Sequence, residues 1–201
     1  MPVSGPLYAT LDALKASMKI TDTDRDTLLT TNLNAASRYI ERATGRRFWL
    51  DPTPVPRILN PRRRLVPDVE GTRLLVDDIG DVEGLVVESG RAPNWSTITG
   101  QMEPEPSDAP EKGEPFSSLL YVGGAYPIGL GLRIRVTARW GYPAVPDEIE
   151  QATLIQASRL YKRKDSPEGV AGSAEWGVMR LSRTDPDVYA LIEHHILPGF
   201  A

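Results

Sequence analysis

The sequence predicts an α+β fold: a helical body of about four helices, with a β-rich insertion between an N-terminal helical hairpin and the C-terminal helices. Three observations lead to this prediction. Apolar residues recur at helical spacing near both ends of the chain. Apolar and polar residues alternate strictly from Leu132 to Trp140, which is the pattern of a half-buried strand. Prolines and glycines are concentrated in the middle, where they break the chain into short extended pieces.

The N-terminal hairpin is predicted as a short helix followed by a longer one. Thr10 is a suitable N-cap for the first helix. The second helix opens at Asp22 or Thr23, and Gly45 stands where a C-terminal cap belongs. Both segments place their apolar residues on one face, as expected for helices that pack on a common core.

The C-terminal helices follow the alternating strand. Acidic residues after Pro146 suit the first turn of a helix that reaches about Lys164. Asp185 is the predicted cap of a final helix, with Pro186 at its first position. Together with the N-terminal hairpin, these helices predict a discontinuous helical core, residues 1–45 plus 141–201.

The middle of the chain, residues 46–140, is the predicted β-rich insertion. Strands are predicted at 73–76, 85–88, 95–99 and 119–122. Between the last two, the stretch near 101–115 is acidic and rich in proline, with almost nothing to bury. This composition predicts a mobile surface loop.

Composition narrows the classes of function. The 201 residues include no cysteine, which excludes disulfides and thiolate metal sites and agrees with assembly in a reducing cytoplasm. No apolar run is long enough to cross a membrane, so no membrane partner is expected. The net charge of −4 argues against a protein whose main task is to grip phosphate backbones, although it leaves room for a local basic patch.

The residues that could carry chemistry do not form a catalytic set. His194 and His195 are adjacent on a helix, where side chains point about 100° apart, so they cannot share a metal as an i, i+4 pair does. Asp77, Asp78 and Asp81 could bind a cation, but they are more typical of a solvated turn. We therefore predict no enzyme activity, no cofactor and no metal site.

Two groups of residues are candidates for a partner interface. The first group is Arg62, Arg63 and Arg64. Prolines hold this basic cluster extended, so it could face DNA or an acidic partner protein, or it could be an ordinary solvated loop. The second group is Trp176, Arg180 and Arg183. This group could anchor a partner, or its tryptophan could simply cover the helical core.

The helix after Pro146 carries apolar residues around most of its circumference, which predicts packing on two sides. One side would face its own body and the other a neighbouring subunit. The residues predicted for such a subunit seam are Ile149, Ile155, Leu160 and Tyr161.

Three predicted features follow one another along the sequence: an amphipathic helix that ends at a Thr-Gly-Arg corner, a β insertion, and a Trp-Gly-Tyr-Pro turn that leads into a helix. Four segments carry this pattern. They are Tyr8–Lys15, Ala35–Phe48, Val136–Ala152 and Arg159–Arg163. In these segments the chain resembles the head-to-tail adaptor, or connector, proteins of long-tailed bacteriophages. The resemblance covers both ends of the chain, and the middle matches only as an insertion of variable content.

The resemblance implies a structural virion protein of the head-tail junction, assembled in the host cytoplasm. It implies a ring oligomer, in the virion a dodecamer, that bridges the portal protein ring to the stopper or tail-completion protein. DNA would pass through the lumen without sequence-specific binding, and an acidic chain would let it slide. Flexible C-terminal segments in the family commonly reach toward the portal, which implies this role for residues 169–183.

Two other functions remain open on the sequence. One is a stopper or tail-completion protein, which would be expected to be mainly β, so the helical ends count against it. The other is a nucleic-acid-binding module that uses the Arg62 to Arg64 loop and the arginines of the strand before Trp140. Salt-dependent DNA binding by the isolated chain would favour this module.

Overall fold

The structure, a computed structural model, describes residues 5–123, 131–163, 170–171, 179–180 and 185–197. The chain divides into two compact units. The first, here called the helical unit, comprises Met1–Phe48 and Val145–Ala201. The second, here called the sheet unit, comprises Trp49–Ala144.

The helical unit contains four α-helices among its described residues. These are α1 (Leu11–Met18), α2 (Asp26–Thr44), α4 (Asp147–Arg163) and α5 (Pro186–Ile192). A short 3-10 turn, Glu193–His195, follows α5, and two short strands, β8 (Val170–Ala171) and β9 (Met179–Arg180), pair antiparallel. The unit is held together by apolar side chains from α1, α2 and α4, of which Leu14, Leu29 and Leu33 are fully buried.

The predicted caps of the helical unit are confirmed. The Thr10 side chain accepts a hydrogen bond from the backbone N–H of Ala13, and the Asp185 side chain accepts one from Asp187. Gly45 ends α2 with a φ of 71°, a left-handed conformation that favours glycine. The start of α2 was predicted too early, because a turn closed by the N–H of Asp26 and the carbonyl of Thr23 precedes the helix.

The sheet unit is built on a seven-stranded antiparallel sheet. Its strands are β1 (Val55–Leu59), β2 (Leu65–Pro67), β3 (Thr72–Arg91), β4 (Asn94–Thr97), β5 (Met102–Glu105), β6 (Phe116–Tyr121) and β7 (Arg133–Trp140). The order along the sheet is β1-β7-β3-β6-β5, while β2 and β4 pair with β3 outside this path. A 3-10 turn, Thr99–Gln101, and a short helix, α3 (Ala109–Lys112), complete the unit.

The long strand β3 joins the two halves of the sheet. Its first half pairs with β2 and β6, and its second half pairs with β7 and β4. The register shifts between Asp81 and Val86, where the strand is irregular. Gly80 allows a close approach nearby, since a Cβ at this position would lie 2.5 Å from the carbonyl oxygen of Gly141. A side chain larger than hydrogen does not fit there.

The strand predicted from strict alternation is confirmed as β7. Its apolar residues Ile134, Val136, Ala138 and Trp140 are buried, and the residues between them are half-buried. The core of the sheet unit consists of these four residues together with apolar side chains from β3 and β6.

The predicted fold class, a helical body of about four helices with a β-rich insertion, is wrong. The described residues form a β-rich fold with a large antiparallel sheet of seven strands and five α-helices. The local pattern separates two strands at 73–76 and 85–88 because the acidic, glycine-bearing residues between them resemble a turn. Pairing with β6 and β7 instead keeps all 20 residues of β3 in one strand. Such long-range pairing determines the size of the sheet and leaves little local trace in the sequence.

The stretch near 101–115, predicted as a mobile acidic loop, contains regular structure. It includes β5, which pairs with β6, and α3, which ends at Gly113 with a φ of 67°. Met102 and Ala109 are buried and anchor this stretch to the core of the sheet unit, while Glu103, Glu111 and Glu114 remain exposed.

Candidate interaction site

One arginine of the basic cluster predicted from the sequence, Arg64, shares a carboxylate with Arg57, which precedes the cluster in the chain. Arg57 and Arg64 both bind Asp77, with N–O distances of 2.8 Å and 3.2 Å. The Arg57 guanidinium also lies over the Trp140 ring, 4.3 Å from its centroid. These contacts fix two arginines to the sheet and neutralise them in part.

The remaining arginines of the cluster, Arg62 and Arg63, point outward. Both are exposed, and neither has an ion pair with a carboxylate among the described residues. Arg63 has a φ of 68°, an uncommon conformation for a residue with a side chain. Within the described part of the chain, the loop therefore presents two guanidinium groups without an ion pair, which suit an acidic partner or a phosphate.

Acids bind two of the three arginines of β7, the strand predicted to contribute to a nucleic-acid site. Arg135 binds Glu88 through two nitrogens, at 2.6 Å and 2.7 Å, and lies over the Trp95 ring. Arg139 binds Asp81 at 2.6 Å. The hydrogen bond with Arg135 lowers the pKa of Glu88, and the same bond raises the pKa of Arg135. Paired guanidinium groups of this kind are poor phosphate ligands because a carboxylate already neutralises them.

The three aspartates considered as a cation site lie in β3, so the predicted solvated turn is wrong. Asp77 and Asp81 are each bound by arginines, and Asp78 is buried. Among the described residues, no group of three or more His, Cys, Asp or Glu could hold a metal ion.

The predicted seam residues on α4 lie on two sides of that helix. Ile149 is fully buried, and Tyr161 is buried with its hydroxyl accepting a hydrogen bond from Arg25. Ile155 and Leu160 are half-buried. Within the helical unit, the helix packs against α1, α2 and α5. Ile155 and Leu160 keep the largest accessible surface of the four for a neighbour.

The second predicted partner group falls outside the part of the chain whose side chains the structure describes. It consists of Trp176, Arg180 and Arg183, and only the backbone of Arg180 is described, as part of β9. His194 is highly exposed, whereas the His195 ring packs edge-on against Phe48 at 5.4 Å. The two histidines thus have separate surroundings, as their adjacent positions predict.

The Thr-Gly-Arg corner is a hydrogen-bonded structure at the end of α2. Thr44 donates from its hydroxyl to the Ile40 carbonyl and accepts from the Arg46 N–H, while Gly45 takes the left-handed conformation. Arg46 Nε donates to the carbonyl of His195, and the N–H of Leu197 donates to the carbonyl of Thr44. The corner therefore joins α2 to the segment after α5.

Tyr8 and Phe48 close the same corner on its other side. Tyr8 donates from its hydroxyl to Glu41 at 2.5 Å and accepts from the Phe48 N–H at 3.0 Å. The two rings pack edge-on with centroids 5.7 Å apart. Burial, together with the hydrogen bond to Glu41, raises the pKa of Tyr8. These contacts join the N-terminal segment to the end of α2.

One candidate surface was missed by sequence reasoning. The sequence predicts only a mobile surface loop for the acidic residues after β4, yet β5 carries Glu103 and Glu105 at one edge of the sheet, and α3 follows with further acids. Their charge offered a signal: the range 101–115 contains five acids and one lysine, whereas 57–64 contains four arginines and no acid. When two segments of one chain carry opposite charge, the basic segment of one copy can contact the acidic segment of another copy.

Among known proteins, one family matches the part of the chain that contains the Thr-Gly-Arg corner. Residues 8–68 match the family model described as phage gp6-like head-tail connector protein. No curated protein matches the chain. No helix among the described residues is long and apolar enough to cross a membrane.

Two solved structures have a similar fold. A chain from the neck of an empty GTA particle, computed with C6 symmetry, is 15% identical with a TM-score of 0.58, and the match covers 96% of this chain and 92% of that one. A chain from the virion of a native gene transfer agent particle is 15% identical with a TM-score of 0.54, over the same shares of the two chains. At this identity, the likeness shows a common fold. The match over residues 8–68 confirms the resemblance to phage head-tail connector proteins that was predicted from the sequence.

Proposed function

We propose that this protein is a structural adaptor at the head-tail junction of a phage-like particle. The observation that carries the proposal is the match of residues 8–68 to phage gp6-like head-tail connector proteins. The matched range contains the Tyr8, Glu41 and Phe48 contacts and the Gly45 corner of the helical unit, and it continues into the first two strands of the sheet unit. The shared fold with a chain from a GTA neck supports the same location.

The proposed assembly is a ring, and in the virion a dodecamer. A similar chain belongs to a neck computed with C6 symmetry, which supports an arrangement of copies around a central axis. The portal protein ring would lie on one side and the stopper or tail-completion protein on the other. DNA would pass through the lumen. The net charge of −4 suits this passage because a negatively charged protein does not attract the phosphates of DNA.

The proposed mechanism is geometric: the ring matches one assembly to the next and keeps a passage open. Joining rings requires no catalytic step, so enzyme activity, a cofactor and a metal have no part in the proposal. Arg62 and Arg63 are the described residues of the predicted partner interface that remain available for a partner, since Asp77 holds Arg64.

A stopper or tail-completion protein is the second candidate, and the seven-stranded sheet favours it. Such a protein would be expected to be mainly β. The family match favours the adaptor, because it spans α1 and α2 as well as β1 and β2. A nucleic-acid-binding module is less supported, since Glu88 and Asp81 already bind two of the three arginines of β7.

Co-sedimentation with portal rings of the same particle tests the proposal. The expected result is saturable binding to the portal, together with weak DNA binding by the free chain. A chain that ignores portal rings and binds duplex DNA with a steep salt dependence would contradict the adaptor and favour the nucleic-acid module. Binding only to portals already carrying another adaptor would favour the stopper.

A further inference from the structure

Four strands of the sheet unit, in the order β2-β3-β6-β5, form a half-sheet with two open edges. Its residue pairs follow one continuous row: Val66 pairs with Arg73, Arg73 with Leu120, and Leu120 with Glu103. Val66 and Glu103 therefore lie at opposite ends of this row. Three inter-strand spacings of about 4.8 Å separate the two edges by roughly 14 Å. Among the described residues, β2 pairs only with β3, and β5 pairs only with β6.

The two edges carry opposite charges. The basic edge is defined by Arg62, Arg63 and Val66. The acidic edge is defined by Glu103, Glu105, Asp108, Glu111 and Glu114. Within the acidic edge only Asp108 has an ion pair among the described residues, with Lys112 at 2.6 Å. Most of the charge on both edges is therefore not neutralised within the described chain.

Neither edge is suited to adding a further strand through a continuous hydrogen-bond ladder. Pro67 ends β2, and Pro104 lies inside β5. Proline has no backbone N–H, and charged residues and prolines commonly protect sheet edges from strand addition. A contact at these edges must therefore use side chains, namely guanidinium groups, carboxylates and the half-exposed Val66.

We propose that the basic edge of one protomer contacts the acidic edge of a second copy of this chain. The proposal rests on the ring assembly proposed above. The two edges cannot meet within one chain because β3 and β6 lie between them. A neighbouring copy supplies the complementary edge, and a contact between two different surfaces is heterologous, so its repetition can close a ring. Asp77 binds Arg57 and Arg64 and so holds the loop that carries Arg62 and Arg63.

Disulfide cross-linking between single-cysteine proteins tests the contact, because the natural chain has no cysteine. Arg63→Cys and Glu103→Cys proteins are mixed at low ionic strength and oxidised, with and without portal rings. The proposal predicts a cross-linked dimer in the mixture and none in either protein alone. Cysteines joined in a disulfide have Cα atoms within about 7 Å, so a bond of this kind requires direct contact. In the matched control, the Arg63→Cys protein is mixed with a Glu70→Cys protein. Glu70 is an exposed acid on the turn between β2 and β3, so this mixture should give no cross-link.

Charge reversal provides a second readout that does not depend on cysteine geometry. The R62E/R63E protein should self-associate at least about tenfold more weakly than the natural protein, since like charges would face each other. Adding E103R and E111R to the same chain reverses both edges and should restore association. A control with the same change in net charge, Arg42→Glu with Lys162→Glu, alters exposed helical residues and should leave association unchanged.

The outcomes separate this contact from the proposed function. The edge contact would be overturned if rings form on portals without a cross-link between the Arg63→Cys and Glu103→Cys proteins. It would also be overturned if rings assemble normally from the R62E/R63E protein. Either result would leave the adaptor role intact. A chain that neither self-associates at low ionic strength nor binds portals would overturn both. Cross-linking in the mixture, with loss and recovery of association on charge reversal, would support the contact.

Discussion

Replacing Tyr8 by phenylalanine tests the corner that the family match covers. The substitution keeps the ring, and with it the edge-on contact to Phe48 and the position of the Arg38 guanidinium 5.6 Å from the ring centroid. It removes the hydroxyl that donates to Glu41 and accepts from the Phe48 N–H. The change therefore isolates two hydrogen bonds from the packing of the aromatic side chain.

The expected loss of stability follows from these two bonds. A hydrogen bond to a charged group contributes about 1.5–3 kcal/mol, and a buried N–H left without an acceptor costs about 1–3 kcal/mol. Because the two effects share one hydroxyl and are not strictly additive, we expect the free energy of unfolding to fall by about 2–4 kcal/mol. Tyr189→Phe is the control, since this side chain is 49% exposed and its loss should change stability by less than about 0.5 kcal/mol.

The pH dependence gives an independent signature. The pKa of Tyr8 is raised in the folded protein above its unfolded value of about 10, so the folded state favours the neutral phenol. This contribution to stability is fully present below pH 10 and is lost as the pH rises above 10 toward the folded pKa, by about 1.4 kcal/mol per pH unit. The stability difference between the natural protein and Tyr8→Phe should therefore shrink above pH 10.

Urea unfolding monitored by circular dichroism between pH 7 and about pH 11 measures both quantities. A loss of less than about 1 kcal/mol at neutral pH would contradict the two hydrogen bonds inferred at the corner. A difference that stays constant through pH 11 would show that Tyr8 ionises as freely in the folded state as in the unfolded state.

Two further predictions concern the sheet unit. Gly80→Ala should destabilise the protein by about 1–3 kcal/mol, because the new Cβ would lie 2.5 Å from the Gly141 carbonyl oxygen. Gly100→Ala should be nearly neutral, since nothing lies within 4 Å of a Cβ at that position. Urea unfolding of the two variants compares these effects. Glu88→Gln should reduce stability at neutral pH and flatten its decline in acid: the folded pKa of Glu88 is lowered by Arg135, so its contribution is present above the unfolded pKa of about 4.5 and is lost as the pH falls through the folded value. Equal acid sensitivity of the natural protein and Glu88→Gln would contradict this ion pair.

The local features of the fold were predictable from the sequence because each depends on a few neighbouring residues. Thr10, Gly45 and Asp185 are caps whose side chains or backbone conformations serve the adjacent helix. The alternation that predicts β7 requires only that one face of the strand be buried. These signals do not depend on what the distant parts of the chain do.

The size of the sheet was not predictable in the same way. Strand β3 continues through Asp77 and Asp81 because Arg57, Arg64 and Arg139 neutralise these acids, and all three arginines come from other parts of the chain. Nothing in the local pattern distinguishes such paired aspartates from those of a solvated turn. The predicted fold class therefore underestimated the sheet.

The candidate site was predicted in part. The sequence indicated a basic cluster of Arg62, Arg63 and Arg64, as a partner surface or a solvated loop, but did not show that Asp77 binds Arg64. It predicted that α4 packs on two sides, and within the helical unit α4 contacts α1, α2 and α5. The subunit seam on this helix stays a prediction. The acidic edge was missed as a surface because composition alone does not reveal that β5 and α3 order these carboxylates.

The proposed adaptor forms a ring at the head-tail junction. The most direct test is the mass and rotational symmetry of the complex between this protein and portal rings, measured by light scattering and electron microscopy on the same sample. We expect a saturating complex in which copies of the chain form one closed ring on the portal. Portal rings whose mass and symmetry are unchanged by an excess of the protein would contradict it.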